Sequence, residues 1–338
     1  MSEENGLSKQ SFLLFGVLAI FIILAGICWA VLEKDKRSLV RSIEFTEKIS
    51  VSIPNESKNV RIWIPVPAND SYQTTEILKI ESPYPYHRTQ DKLFQNHLIY
   101  FESKPLTKDT KFEIKVSYKI IRKEQRVLGQ ENSTESNTQT PSLVASYLEP
   151  RGLEVINEKI KKVSEEITKG IEDPVIKARA LYTYVLEHMK YDKSGREWGR
   201  GDSVYACDIG KGNCTDFHSL FICLARASHI PARFQMGIAL PQISEGEPST
   251  LYHCWAEFYL HGEGWIPVDI SEAWKNPKKA DYFFGNLDAD RFLLSTGREI
   301  FLAPQQNGKP LNYISKPYIE LDGQPYYDFK LERRFKNI

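Results

Sequence analysis

The sequence has no excess charge of either sign and little cysteine. Its 338 residues include 44 acidic and 44 basic side chains, so the formal net charge is zero. This balance excludes binding to nucleic acid or an acidic surface driven by bulk charge, and we expect no nucleic-acid partner. Five cysteines are too few, and odd in number, for a disulfide-built scaffold. A chain of this length, of which 41% is hydrophobic, is instead expected to form about two domains, each with a buried core.

Long apolar runs are also scarce, and the conspicuous one covers residues 11–32. This stretch carries no charged side chain. A helix of about 20 residues crosses a hydrocarbon core, whereas the apolar region of a secretory signal is about 7–15 residues long. We therefore predict an uncleaved, single-pass membrane anchor at 11–32 that follows a short tail at 1–10. A cleaved signal peptide is the alternative.

The flanking charges bear on the orientation of this anchor. Lys9 precedes it, while the juxtamembrane segment 33–41 contains Lys34, Lys36, Arg37 and Arg41. The positive-inside tendency alone would keep the globular part in the cytoplasm, but long domains translocate largely regardless of nearby charge. Our working expectation is an extracytoplasmic globular part, and the membrane side stays open.

Residues 42–124 have the period of β-strands. Apolar residues alternate with polar ones in the clearest run, which predicts one buried and one solvated face: Phe112, Ile114, Val116, Tyr118 and Ile120. Shorter runs of this kind are separated by Pro, Asn and Asp. We predict an antiparallel domain of the β-sandwich type, followed by a linker at 125–150 whose stretch 130–141 has no apolar residue.

Beyond the linker the pattern becomes helical. Asp173 and Pro174 have the chemistry of a helix start, and residues 153–168 form an amphipathic stretch. We assign a core domain to 151–274 and expect the C-terminal extension, 275–338, to pack on it. Arg291 in this extension is a candidate for contact with a substrate, although no pattern in the sequence requires that contact.

Cys214 lies where a flexible loop meets a helix. The next apolar residues are spaced i, i+3, i+4 and i+7, which predicts a helix that starts at or beside this cysteine: Phe217, Leu220, Phe221 and Leu224. Free N–H groups and the helix dipole favour an anion at that end, so the pKa of a thiol there is lowered, as a nucleophile requires. Cys223 falls well inside the same helix, and we expect it to be packed and inert.

A strand-like run at 252–260 and a second one at 265–269 carry His253 and Asp269. Residues directly opposite each other on paired strands have their side chains on the same face of the sheet. His253 and Asp269 can therefore meet only if the numbers of paired residues add up to an even number. A connecting loop with an odd number of residues, or one β-bulge, gives such a pairing. Pro267 lacks an N–H and should make the second strand an edge strand or an irregular one.

These residues predict a cysteine nucleophile with a base. His253 would take the Cys214 proton and later protonate the leaving group, Asp269 would orient the imidazole, and the Cys214 N–H would donate to the oxyanion. Three tentative residues complete the site: Trp198 as a second oxyanion donor, and Trp255 and Glu257 as cleft residues on the face of His253, with packing or a salt bridge as the alternatives.

No metal site or cofactor is expected. The cysteines form no CxxC pair or comparable spacing that would bind zinc. Cys207 is interpreted as a loop thiol, with a resolving thiol as the alternative. Asp216, in the first turn after Cys214, is interpreted as a residue that stabilises the helix start.

The three motifs together resemble the transglutaminase-like superfamily, which has a papain-like fold. The resemblance is carried by 212–217 around the nucleophile, 253–257 around the histidine and 264–269 around the aspartate. It implies an α+β protein with a papain-like core and the triad Cys214, His253 and Asp269. No calcium-loop spacing is present, so calcium activation of the animal type is not expected.

The leading hypothesis is thus a membrane-anchored cysteine enzyme that forms an acyl-enzyme from an amide in a protein or peptide substrate. Hydrolysis is favoured over transfer to an amine, although the same triad serves both reactions. The alternative is a non-catalytic binding or scaffolding module on the same fold. The sequence leaves the substrate and the oligomeric state open.

Overall fold

The computed structural model describes residues 40–128, 140–250 and 252–338. Their helices are α1 (Pro141–Ser146), α2 (Glu158–Thr168), α3 (Pro174–His188), α4 (Ser203–Ile209), α5 (Cys214–Ala227) and α6 (Ile270–Lys275), followed by a 3-10 turn at Pro277–Lys279. The strands are β1 (Val40–Ser52), β2 (Val60–Pro65), β3 (Gln73–Glu81), β4 (Tyr86–Gln90), β5 (His97–Glu102), β6 (Lys111–Lys123), β7 (Gln125–Arg126), β8 (Lys190–Tyr191), β9 (Lys211–Gly212), β10 (Ala232–Ala239), β11 (Glu245–Gly246), β12 (His253–Leu260), β13 (Gly264–Val268), β14 (Asn286–Leu287), β15 (Arg291–Thr296), β16 (Tyr318–Leu321), β17 (Gln324–Tyr326) and β18 (Phe329–Asn337). The mixed α and β class is confirmed.

Two antiparallel five-stranded sheets form the β-region. Their strand orders are β11-β18-β1-β6-β3 and β17-β16-β2-β5-β4. The alternating strands place Ile43, Ile49 and Ile114 of the first sheet in one buried cluster with Ile62 and Ile99 of the second. Burial of this apolar surface is what holds the two sheets together.

The core is built around α5, in which every residue from Cys214 to Arg226 is buried. A helix that is apolar on most sides has to be covered on most sides. The helices α2, α3 and α4 pack on it, and so does a four-stranded antiparallel sheet of order β13-β12-β10-β15. Because α5 is packed between these helices and the sheet, its first residues lie next to the first residues of β12.

The C-terminal residues are divided between the two regions. Strand β15 belongs to the core sheet, whereas β16 pairs with β2 and β18 pairs with β1. The Gln73 side chain also bonds to the Leu293 backbone of β15. The core is thereby joined to the β-region by strand pairing, a shared apolar cluster and buried hydrogen bonds.

The predicted anchor at 11–32 and most of the polar stretch 130–141 lie outside the described residues. None of the helices within 40–128, 140–250 and 252–338 is both long and apolar enough to span a membrane.

Candidate active site

Cys214 is the first residue of α5. The Asn213 side chain accepts a hydrogen bond from the Thr215 N–H at 2.9 Å, and Asp216 accepts from the Asn213 N–H at 2.9 Å. This capping box fixes the loop that precedes the cysteine. A Cβ at Gly212 would lie 2.2 Å from an Asp216 carboxylate oxygen, so only glycine fits there. The cysteine is thus held at the positive end of the helix dipole.

Asp216 also fixes a second loop. Its two carboxylate oxygens accept hydrogen bonds from the backbone N–H groups of Gly199 (2.6 Å) and Gly201 (2.9 Å). Burial, outweighing these bonds, raises the pKa of Asp216. The interpretation of Asp216 as a residue that stabilises the helix start is confirmed, and the same carboxylate ties the Trp198 loop to the start of α5.

His253 begins β12, and Asp269 follows β13. These strands pair antiparallel with Ala256 opposite Val268 and Leu260 opposite Gly264, so paired numbers have an even sum and the loop has three residues. The predicted parity is confirmed, and β13, which contains Pro267, is the edge strand that was expected. His253 Nε2 lies 2.6 Å from Asp269 Oδ2, and both side chains are buried.

Asp269 is held by donors on both carboxylate oxygens. Oδ1 accepts from the Ser271 hydroxyl and the Glu272 N–H, each at 3.0 Å, as the N-cap of α6. Oδ2 accepts from Arg291 Nη1 as well as from His253. Burial would raise the pKa of Asp269, but the charges of His253 and Arg291 hold it well below its usual range. These two cations therefore favour the ionised form of Asp269.

Cys214 and His253 are hydrogen-bonded to each other, and their pKa values shift in opposite directions. A hydrogen bond from the Cys254 thiol, and then the bond and positive charge of His253, lower the pKa of Cys214 well below its ordinary value despite burial. Burial would lower the pKa of His253, but Asp269 and the bond to Cys214 raise it to about 9. These opposite shifts favour the thiolate of Cys214 and the imidazolium of His253.

Cys254 and His218 support this pair from the other face of β12. The Cys254 sulfur lies 3.7 Å from both Thr215 Oγ1 and His218 Nδ1. His218 Nε2 accepts from the Ile270 N–H at 3.1 Å, and burial lowers the pKa of His218 to about 4, so the ring is neutral. Burial and the bond to Cys214 raise the pKa of Cys254, which keeps its proton.

An open cleft of about 660 Å³ reaches Cys214. Among its lining residues are Cys214, His253, Trp198 and Arg291. Carboxylates and two lysines also face it: Glu272, Asp288, Asp290, Lys193 and Lys275. Of the three tentative cleft residues, the structure therefore brings Trp198 to the site.

Trp255 and Glu257 do not line the cleft, in contrast to the expectation for that strand face. Each strand residue advances about 3.3 Å, so Glu257 lies about 13 Å along β12 from His253. Its carboxylate is engaged by Arg233 at 2.6 Å and by Gln235. The Trp255 ring is buried, with its centroid 6.4 Å from that of the His253 ring. Glu257 thus forms a salt bridge and Trp255 packs in the core, which are the alternative roles considered for these residues.

Cys207 and Cys223 do not line the cleft at Cys214, and Cys207 lies in α4 rather than in a loop, in contrast to the expectation. Cys207 and Cys223 are buried and free, and burial raises the pKa of Cys207 and brings that of Cys223 to about 12. Within the described part of the chain, no group of three or more His, Cys, Asp or Glu side chains is arranged to hold a metal ion.

Comparison with known proteins identifies the fold family. Residues 161–270, which contain Cys214, His253 and Asp269, match the model of the transglutaminase-like superfamily. The chain belongs to this superfamily. A protein of Haemophilus influenzae described as uncharacterized is 30% identical over 325 residues, which cover 85% of this chain and 87% of that protein.

A solved structure shares this architecture. A provisionally assigned cysteine protease from Cytophaga hutchinsonii is 15% identical, with a TM-score of 0.55 over 88% of this chain and 91% of that one. The fold is therefore shared across both the β-region and the core. The periplasmic domain of TgpA from Pseudomonas aeruginosa matches with a TM-score of 0.37 at 14% identity, over 72% of this chain and 92% of that domain.

Proposed function

We propose that this protein is a membrane-anchored cysteine enzyme that cleaves amide bonds of a protein or peptide through an acyl-enzyme at Cys214. The observation that carries the proposal is the placement of Cys214 at the start of a buried helix, bonded to a histidine whose other ring nitrogen lies 2.6 Å from a buried aspartate. A merely structural cysteine has no need of an imidazolium and an open cleft beside it.

Acylation follows from the charges of the pair. The Cys214 thiolate attacks the amide carbon, and the carbonyl π electrons move onto oxygen. We propose that the N–H of Cys214, at the start of α5, donates to this oxyanion. The His253 imidazolium then gives its proton to the leaving nitrogen, the C–N bond breaks, and a thioester and a free amine result.

Deacylation reverses the proton transfers. The neutral His253 takes a proton from water, the resulting hydroxide attacks the thioester carbon, and the C–S bond breaks to give a carboxylic acid and the Cys214 thiolate. An amine could replace water as the acceptor. Water is our proposed acceptor because the cleft is open to solvent, and exclusion of water is what favours transfer.

The proposal extends to location. We propose that residues 11–32 hold the enzyme in a membrane with the catalytic region outside the cytoplasm. Added protease should degrade residues 40–338 in cells whose outer barrier is opened but whose inner membrane is intact. Degradation only after the inner membrane is lysed would place the catalytic region inside.

The thiolate is tested by alkylation of the full-length protein with iodoacetamide at pH 6, with peptide mass spectrometry to assign each cysteine. We expect fast labelling of Cys214 alone, slowed about 100-fold in His253→Ala because an unassisted thiol is almost fully protonated at this pH. His261→Ala, in the loop of the same hairpin, is the matched control and should label like the wild type. Equal, slow labelling of all cysteines would favour the binding module.

The acceptor is tested with the peptide acetyl-Ala-Gln-Gly amide, with and without 1,5-diaminopentane. Conversion of glutamine to glutamate in both samples supports hydrolysis, and an amine adduct supports transfer. Cys214→Ala should abolish either product.

A further inference from the structure

Arg291 is a buried arginine in contact with the proposed triad. It begins β15 and is 4% exposed. Its Nη1 donates to Oδ2 of Asp269, the same oxygen that faces His253 Nε2. Its Nε and Nη2 donate to the two oxygens of Asp288, at 3.2 and 3.0 Å. The four side chains His253, Asp269, Arg291 and Asp288 thus form a row of alternating charge.

The contacts of Asp269 define what Arg291 adds. Ser271 and Glu272 occupy Oδ1, but they donate from only one side of the carboxylate. Arg291 is the second donor on Oδ2, so the carboxylate cannot turn away from His253 without breaking a charge-assisted bond. Two carboxylates engage all three nitrogens of the Arg291 side chain and three of its five N–H donors, which disfavours Arg291 as a binder of a substrate anion.

The positive charge of Arg291 also reduces the stabilisation that the negative charge of Asp269 gives to the His253 imidazolium. An aspartate alone stabilises the imidazolium and makes it a poor acid, whereas a cation on the same oxygen weakens that stabilisation. Asp288 in turn offsets part of the Arg291 charge. The balance matters because His253 has to hold the Cys214 proton in the resting enzyme and release it to the leaving nitrogen.

We propose that Arg291 is a positioning residue that fixes the Asp269 carboxylate against His253 and offsets part of its charge, so that the imidazolium can still protonate the leaving amine. This inference rests on the proposed function of Cys214 and His253. Arg291 lies outside the three sequence motifs around Cys214, His253 and Asp269.

The other charges around His253 do not replace Arg291. Cys214 and His218 face the site from α5, and His218 is neutral. On α6, Lys275 bonds to Glu272 at 2.7 Å. Among the described residues, Arg291 from β15 is therefore the cation besides His253 that bonds directly to the Asp269 carboxylate.

The test is the titration of His253 in full-length protein with labelled histidine, followed by NMR and assigned with His253→Gln. In Arg291→Met the His253 midpoint should rise by about one pH unit, because a cation is removed from its partner. In Asp288→Asn it should fall, because the charge of Arg291 is less compensated. Arg291→Lys, which keeps the charge, should lie near the wild type.

Arg298→Met is the matched control, because Arg298 is equally buried and contacts Ser219 of α5 rather than Asp269. It should leave the His253 midpoint unchanged. If Arg291→Met does not fold, the opposite shift in Asp288→Asn remains decisive. Unchanged midpoints in folded Arg291→Met or Asp288→Asn overturn the inference. Fast labelling of wild-type Cys214 in the same preparation would leave the proposed function standing.

Discussion

Nε2 of His253 lies 2.6 Å from Oδ2 of Asp269, which leaves Nδ1 as the ring nitrogen that serves Cys214. The two residues are 16 positions apart, and the β12–β13 hairpin alone brings them together. Because the aspartate is fixed at both of its oxygens, the orientation of the ring is determined before any substrate arrives.

Asp269→Asn should weaken the ion pair between Cys214 and His253, while the asparagine side chain keeps the volume of the aspartate. The amide carries no charge to stabilise the imidazolium, so the pKa of His253 falls and that of Cys214 rises. We expect iodoacetamide labelling of Cys214 to slow about 100-fold at pH 6 and little at pH 9, where a free thiol also ionises. An equal loss at both pH values would point to misfolding instead.

Cys214→Ala should change how stability depends on pH. Between about pH 6.5 and 8.5 the folded pair holds one proton on His253 and the unfolded pair holds one on the thiol, so the wild-type pair contributes no slope. Without the thiol, the raised pKa of His253 contributes stability that is complete below about pH 6.5 and is lost as pH rises toward the folded pKa. Urea unfolding should show a decline of up to about 1.4 kcal/mol per pH unit. A flat difference between the variant and the wild type would contradict this.

Cys254→Ala should raise the pKa of Cys214, because the thiolate loses a hydrogen-bond donor in a buried place. We expect a shift of about one pH unit, measured by the ultraviolet absorbance of the thiolate during titration. Cys223→Ala removes a thiol from the same core without a contact to the nucleophile and is the matched control. If both variants titrate like the wild type, the Cys254 donor has no effect on the nucleophile.

Asp216→Asn should destabilise the protein by about 1–3 kcal/mol, since one carboxylate satisfies three backbone N–H groups. Asp173→Asn at the start of α3 is the matched control, with an expected cost below about 1 kcal/mol because asparagine is an equally good N-cap. Urea unfolding gives both values. Comparable losses in the two variants would mean that the Trp198 loop depends little on Asp216.

The local patterns predicted the elements that carry the site. The helix expected at Cys214 spans Cys214–Ala227, and the strands expected at 252–260 and 265–269 span His253–Leu260 and Gly264–Val268. In each of these elements the apolar residues recur with a clear period, or a capping or turn residue lies within a few positions. The secondary structure is therefore determined by residues that are close in sequence. The even-sum pairing followed from geometry alone.

The supporting residues could not be predicted in this way. Cys254 follows His253 on a strand and points to the opposite face, and only the packing of β12 on α5 brings it to Cys214. Arg291 reaches Asp269 from a strand that follows 22 residues later, a distance without periodic signal. His218 did leave a signal: it lies four residues after Cys214, on the same face of the helix.

The pairing of β1 with β18 places Ile43 opposite Asn337. Strand β1 therefore lacks one of its two neighbours in the sheet until β18 (Phe329–Asn337) has been synthesised. The core lies between β1 and β18 in the chain, so its maturation can be delayed until β18 has joined this sheet. A chain shortened by one strand would leave β1 with an open edge, a known starting point for aggregation.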